Sequence, residues 1–134
     1  MGLKDEDRKE VVKLRMEKAK NTFSEIALLT SNGLWHNAAN RLYYACYYAA
    51  TALLIKNGIE TKTHQGVINQ FGLYFVKTDL FSQKEGRFFK NLFELRQDGD
   101  YDDWIDITEE DVIPMVEPAR KFIEKVEKLI INIQ

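Results

Sequence analysis

The 134 residues include only one cysteine, two histidines and two prolines, and each shortage removes a class of protein. One cysteine cannot close an intrachain disulfide. Cys46 also falls in the most apolar stretch of the chain, where a thiol behaves as a small hydrophobe. A cytoplasmic location is the default expectation. Neither His36 nor His64 has a glutamate three positions before it, so the Glu-x-x-His pattern of bundle metal sites is missing. There is no His-Glu-x-x-His, glycine-rich phosphate loop, zinc cysteine cluster or serine-centred elbow, which excludes ordinary metallohydrolase and nucleotide-loop chemistry. No metal site and no cofactor are expected. No run approaches the roughly 20 apolar residues that span a bilayer, and the opening MGLKDEDRKE lacks the apolar centre of a signal peptide. Membrane insertion is not expected. The net charge of −2 gives no global attraction to nucleic acid, so such binding requires a local cluster. From Asp98 to Asp111 the chain carries eight carboxylates and no basic residue, a run that repels phosphate unless arginines neutralise it.

What is abundant is apolar and aromatic surface: 45% of residues are hydrophobic, with eight phenylalanines and six tyrosines. That is enough to fill one helical core, and residues 1–134 read as one domain. More aromatics are present than one small core obviously needs, which points to a homodimer.

The stretch Asn37–Asn57, NAANRLYYACYYAATALLIKN, is apolar on too many sides to lie on a surface and reads as the central helix. Ala38, Ala45, Ala49 and Ala52 form a stripe of small side chains that lets a neighbouring helix approach closely. Ala39, Leu42, Cys46 and Leu53 continue the apolar surface. Asn37, Asn40, Arg41, Tyr44, Tyr47, Tyr48 and Thr51 form a face that is polar and aromatic at once.

Before it, Val12, Met16, Ala19, Phe23, Ile26 and Thr30 mark one amphipathic helix over residues 6–30, closed by Ser31, Asn32 and Gly33. Asn57 and Gly58 supply a left-handed cap to the central helix. Thr63 caps a third helix in which Val67, Ile68, Phe71, Tyr74 and Phe75 share a face, ending near Lys77. Ser82 and Glu85 form a capping box for a fourth helix. Its apolar arc is Phe88, Phe89, Leu92, Phe93 and Leu95, and Asp98–Gly99 stops it, or nearly so. Thr108 and the acids after it open a last helix with a stripe of Val112, Val116, Ala119, Ile123, Val126, Ile130 and Ile133. Pro118 should kink that helix. No stretch alternates like a half-buried strand, so the expected fold is all-α: an antiparallel up-and-down bundle of about five helices, with the second and fourth contributing most of the core.

Arg41 borders the alanine stripe and Arg96 falls between Phe89 and Phe93 on the helical wheel. A guanidinium cannot shed its proton in a protein and must find a carboxylate, a carbonyl or a ligand anion. Two readings stand. Either the arginines pair with Asp100, Asp102 or Asp103 and pin helices together, or they form an anion pocket with Tyr44, Tyr48 and Tyr101. His64 lies at the start of the third helix, placed to meet an anion or exchange a proton. A solvated or capping imidazole is the plainer alternative.

RLYYA with its following aromatic pair, KTH before the third helix, and LRQ-x-x-DYDD closing the fourth resemble the HEPN superfamily, in its branch of small prokaryotic UPF0332 proteins. The resemblance covers nearly the whole chain. It implies a helical bundle that commonly dimerises, in a superfamily rich in metal-independent ribonucleases and in toxins paired with a small nucleotidyltransferase. The nuclease motif there is an arginine followed after four to six residues by a histidine. Here the arginine matches Arg96, but Tyr101 stands where the histidine belongs. The resemblance thus implies a binding or regulatory partner of a nucleotidyltransferase in a toxin–antitoxin-like system, with RNA or a nucleotide as ligand. The alternatives are a ribonuclease using Arg96, Tyr101 and His64, and a purely structural module. Arg41, Tyr44, Tyr48 and Asp100 are the implied anion-binding set.

Overall fold

A computed structural model describes residues 4–101 and 106–132, and the side chains of 4–99 and 106–131. The protein is an all-α up-and-down bundle, and no strand occurs among the described residues. Its helices are α1 (Asp5–Phe23), α2 (Ile26–Ser31), α3 (Trp35–Lys56), α4 (His64–Phe71), α5 (Gln83–Tyr101) and α6 (Glu109–Asn132). Two of the five expected rods are subdivided. The first is interrupted at Ser24–Glu25, where the Ser24 hydroxyl donates to the Asn21 carbonyl at 2.6 Å and the Glu25 amide donates to Thr22 O at 3.2 Å. Both residues keep right-handed helical dihedrals, so the interruption is a local tightening of the ladder rather than a turn.

The third rod continues from α4 into a π-helical turn, Gly72–Val76, closed by the Lys77 amide donating to Gly72 O at 2.9 Å. The wider turn carries both Phe71 and Phe75 into the core and leaves Leu73 and Tyr74 exposed. Tyr74 therefore does not share the buried face that α-helical spacing assigns to it.

α3 is the centre of the bundle. Its most extensive contact is with α1, followed by α6 and then α5. Ala38, Ala45, Ala49 and Ala52 are all fully buried, as are Leu42, Tyr43, Cys46 and Ala50. Ala19 of α1 is equally buried. Small side chains facing one another are what permit two helix axes to approach closely. The helix begins at Trp35, two residues before the expected start, with the Ala38 amide bonded to Leu34 O at 2.9 Å. It ends at Lys56, and Gly58 just beyond has a φ of +74°, the left-handed conformation that glycine adopts without strain. Asn57 keeps a negative φ of −91° and instead donates its side-chain amide to Leu53 O at 2.9 Å.

The expected caps are formed. Thr63 Oγ1 accepts from the Gly66 amide at 2.9 Å. At the start of α5 the Ser82 amide donates to Glu85 Oε1 at 2.8 Å, and the Glu85 amide donates to Ser82 Oγ at 3.0 Å. Asp111 accepts from both the amide and the hydroxyl of Thr108 at the head of α6. α5 does not stop at Asp98–Gly99. It runs on to Tyr101, and Gly99 lies within it as a contact surface: a Cβ there would lie 2.3 Å from Ile107 Cδ1. α6 runs through Pro114 and Pro118, both exposed, from Glu109 to Asn132. Ile133 lies outside the described residues.

The core departs from expectation in its second contributor. α6 supplies Val112, Ala119, Phe122, Ile123, Val126 and Ile130 to it, whereas α5 supplies Phe89, Leu92 and Phe93. Phe122 joins Phe71, Phe81 and Phe89 in one cluster with ring centroids 4.9–5.4 Å apart. All eight phenylalanines are buried or packed against this single core. The phenylalanine content therefore needs no second copy of the chain to account for it.

Candidate functional site

α3 presents the dipeptides Tyr43–Tyr44 and Tyr47–Tyr48 one turn apart, so four phenol rings follow one another along a side of the helix. α4 and α5 decide what each ring meets. Tyr43 is completely buried, and its hydroxyl lies 2.7 Å from His64 Nδ1. Burial, with Tyr47 beside it, pushes the Tyr43 phenol far above its ordinary range in spite of the Arg96 charge. It remains a protonated phenol at neutral pH.

Tyr44 is flanked by two guanidinia. The Arg41 guanidinium centre lies 5.4 Å from its ring centroid and that of Arg96 lies 5.2 Å away. Arg96 Nη2 also donates to the Tyr44 hydroxyl at 3.0 Å, and its guanidinium sits 5.6 Å from the Tyr43 ring. Arg41 is oriented by its neighbour: Nε and Nη2 both donate to Asn40 Oδ1, at 3.1 and 2.7 Å. Cations over phenol faces are attracted by the ring quadrupole.

His64 opens α4 directly after the Thr63 cap. Its ring stacks on Tyr47 with centroids 4.5 Å apart and meets Tyr44 edge-on at 5.8 Å. Burial and then the nearby Arg96 charge lower its pKa, so the imidazole is neutral at pH 7. With Nδ1 engaged by Tyr43, Nε2 is the nitrogen left for other partners. Tyr48 takes the Lys18 ammonium of α1 at 4.7 Å from its ring centroid.

The structure thus brings Arg41, Tyr44, Tyr48, His64 and Arg96 to one face. The backbone of Asp100 and Tyr101 belongs to the last turn of α5, and their side chains lie outside the described residues, as do Asp102 and Asp103. The ion-pair reading of the arginines falls on those side chains. Sequence spacing missed Tyr43, Arg15 and Lys18. The YYACYY pattern displays Tyr43, but its burial depends on α4 and α5. Arg15 and Lys18 arrive through the α1–α3 contact, which no local pattern announces. His36 belongs elsewhere. Its Nε2 lies 3.4 Å from the Ile107 amide and 3.6 Å from Asp106 Oδ1, tying the head of α3 to the segment before α6.

Chemically, the face offers guanidinium donors, aromatic surface and one neutral imidazole. That combination suits a phosphate with an attached planar base. Among the described residues no group of three or more histidine, cysteine or acidic side chains could hold a metal ion. No helix among them is long and apolar enough to cross a membrane. A larger cavity of 610 Å³, between α1, Lys56 and the end of α6, contains none of these side chains.

Comparison with known proteins agrees with the motifs. The HEPN domain model matches residues 12–129. A UPF0332 protein of Thermotoga maritima is 33% identical over 124 residues, covering 92% of this chain and 94% of that protein. The protein named "Putative toxin MJ0605" of Methanocaldococcus jannaschii is 32% identical over 127 residues, covering 95% of this chain and 94% of its own length. A second protein of that organism, "Putative toxin MJ0142", is 29% identical over 125 residues, or 93% of this chain and 84% of that one. With the bundle, the Arg96–Tyr44 pairing across α3 and α5, and these full-length similarities in agreement, the chain belongs to the HEPN family, among the small prokaryotic UPF0332 and toxin-named proteins.

Proposed function

We propose that this protein binds RNA or a nucleotide through the Tyr44 face and acts as the regulatory partner of a nucleotidyltransferase in a prokaryotic toxin–antitoxin-like pair. The observation that carries the reading is the convergence of Arg41 and Arg96 on a single phenol ring, from two helices. Two guanidinia beside one aromatic ring serve a phosphate and its base better than they serve helix packing, which one would satisfy. The toxin names of two relatives support the two-protein setting. A homodimer is part of this proposal. It rests on the family resemblance and on the exposed Leu73, Tyr74 and Leu80 around the π turn, not on surplus phenylalanine.

The test is RNA and nucleotide binding by wild type, Arg41→Gln and Arg96→Gln, measured over a range of salt. Each guanidinium that neutralises a phosphate should contribute a slope of about 0.7 in log affinity against log salt for a single strand. Each variant is expected to weaken binding and flatten that slope. Folded variants that bind as wild type does would remove the proposal and leave the arginines as helix pins.

A second reading, a metal-independent ribonuclease, is favoured by one observation: His64 and Arg96 contact the same two tyrosines. In the tautomer that donates Nδ1–H to the Tyr43 oxygen, Nε2 carries a free lone pair. It could take the proton of an attacking 2′-hydroxyl while Arg96 meets the phosphate. RNA cleavage in the presence of a chelator, abolished in His64→Ala and in Arg96→Ala, would establish it. The tyrosine at position 101 argues for no robust cleavage by the chain alone.

A further inference from the structure

A groove of 500 Å³ lies between α5 and the rod made by α4 and the π turn, and it shares no lining residue with the Tyr44 face. Its charge has one sign. Lys77 stands on one wall and Arg87 and Lys90 on the other, and no acid lines it among the described residues. Asp79, Glu85 and Glu94 are the nearest acids in sequence, and none belongs to the lining; Glu85 is engaged by Ser82 and Lys125 instead. The three cations are exposed, in a chain of net charge −2, and none has an ion-pair partner among the described residues. Exposed cations elsewhere do find acids, as Lys20 finds Glu127 and Arg120 finds Glu117.

The floor is aliphatic. The π turn sends Phe71 and Phe75 inward and Leu73 outward, so Leu73 is 49% exposed beside the half-buried Ile68 and Val76. Gly72 leaves a notch there, since a Cβ at that position would meet nothing within 4 Å. On the α5 side, Val76 Cγ2 lies 2.8 Å from where a Cβ of Gly86 would be, which brings the two walls together beneath the notch. Gln65 and Asn69, joined side chain to side chain at 3.1 Å, stand on the rim. Single-stranded RNA would meet the cations but not this floor. Bases stack on open rings, and the two rings of the lining, Phe71 and Phe89, are each 1% exposed.

We infer that this groove docks an acidic amphipathic helix of a partner protein. Its aliphatic stripe covers Ile68, Leu73 and Val76, and carboxylates on the two flanks of that stripe meet Lys77 on one side and Arg87 and Lys90 on the other. A trough between two helices accepts a third by interlocking side-chain ridges. Charge complementarity selects the occupant, because an apolar helix without acids would leave three cations facing its flanks unpaired. Exposed ion pairs of this kind set orientation and speed of encounter, while the apolar contact holds the complex. Leu73 is also one of the exposed residues behind the homodimer proposed above, which makes a second copy of the chain the competing occupant. The groove stands apart from the Tyr44 face, so the loss of either proposal leaves the other intact.

The experiment selects a display library of random peptides on the full chain, each about 15 residues long, the length at which an isolated helix becomes marginally stable. Selected peptides are titrated by fluorescence anisotropy against wild type, Arg87→Glu/Lys90→Glu, Gly72→Leu and Lys121→Glu/Lys128→Glu, the last changing the charge equally at exposed positions of α6. Thermal unfolding is the fold check. Gly72 has a right-handed φ of −59° and open space at its Cβ, so Gly72→Leu fills the notch without straining the backbone. Expected are peptides rich in Asp and Glu with aliphatic residues at helical spacing, their binding weakened at least tenfold by Arg87→Glu/Lys90→Glu and by Gly72→Leu and unchanged by the α6 variant. Selected peptides without an acidic bias, or binding lost equally in the α6 variant, would overturn the proposal. So would the absence of any selected peptide. Two further measurements then name the true occupant. Oligouridylate binding lost in Arg87→Glu/Lys90→Glu would make the groove a nucleic-acid surface, and a wild-type dimer that sedimentation shows dissociating in that variant would assign it to a second copy.

Discussion

Arg96 on α5 donates to the hydroxyl of Tyr44 on α3 at 3.0 Å across 52 residues of sequence. This bond joins the segment that resembles the family's nuclease motif to the aromatic face of the central helix. Tyr44→Phe removes it while keeping the ring between the two guanidinia. Stability should fall by about 0.5–1.5 kcal/mol, the usual net worth of such a bond. RNA binding should fall less than in Arg96→Gln. Denaturant unfolding and a binding titration on both variants check the order.

His64 gives a pH signature. Its pKa is lowered in the folded state by burial and by Arg96, so protonation favours the unfolded chain. The stabilisation is complete above the ordinary value of 6.5 and is lost as pH falls through the lower folded value. Unfolding midpoints followed from pH 8 downward should show wild type losing stability below about 6.5, with His64→Gln losing less. Parallel curves would mean that the imidazole is not held neutral by its surroundings.

Ala49 is fully buried in the stripe of small residues on α3. Ala49→Leu should overpack it and cost about 1–3 kcal/mol. An unchanged thermal midpoint would show that the stripe does not set the spacing of the helices around it.

Gly99→Ala sets helix propensity against packing. Alanine is worth up to about 1 kcal/mol more than glycine within a helix, but its Cβ would meet Ile107 Cδ1 at 2.3 Å. A net loss of stability of about 1–2 kcal/mol is expected. Shortening the partner in Gly99→Ala/Ile107→Val should recover part of it, read as a coupling energy in a double-mutant cycle.

Much of the fold was legible because its signals are local. Thr63, and Ser82 with Glu85, bond groups three residues away, so spacing alone finds them. The burial of α3 was legible because no side of it could face water. Long-range chemistry was hidden. Asp98–Gly99 looked like a stop because nothing nearby in sequence reveals Ile107 pressing on Gly99. The π turn that exposes Tyr74 differs from an α-turn in bonding to the fifth rather than the fourth residue back, as Lys77 N does to Gly72 O, which composition does not encode. Of the candidate site, Arg41, Tyr44, Tyr48, His64 and Arg96 were nameable and a pocket of the arginines with Tyr44 and Tyr48 was one of two readings, but the approach of His64 to Arg96 was hidden, since it joins separate helices. Tyr43 looked like its neighbours until α4 and α5 covered it.

The one cysteine has a consequence for time rather than for structure. Cys46 is wholly enclosed in α3, and burial pushes its thiol well above the usual range, so little reactive thiolate forms. An alkylating reagent must wait for the bundle to open. With reagent in excess, the labelling rate approaches the opening rate, and when reclosing is faster it reports the population of the open form. The unmodified protein therefore carries an internal clock for its own unfolding, which needs no engineered probe.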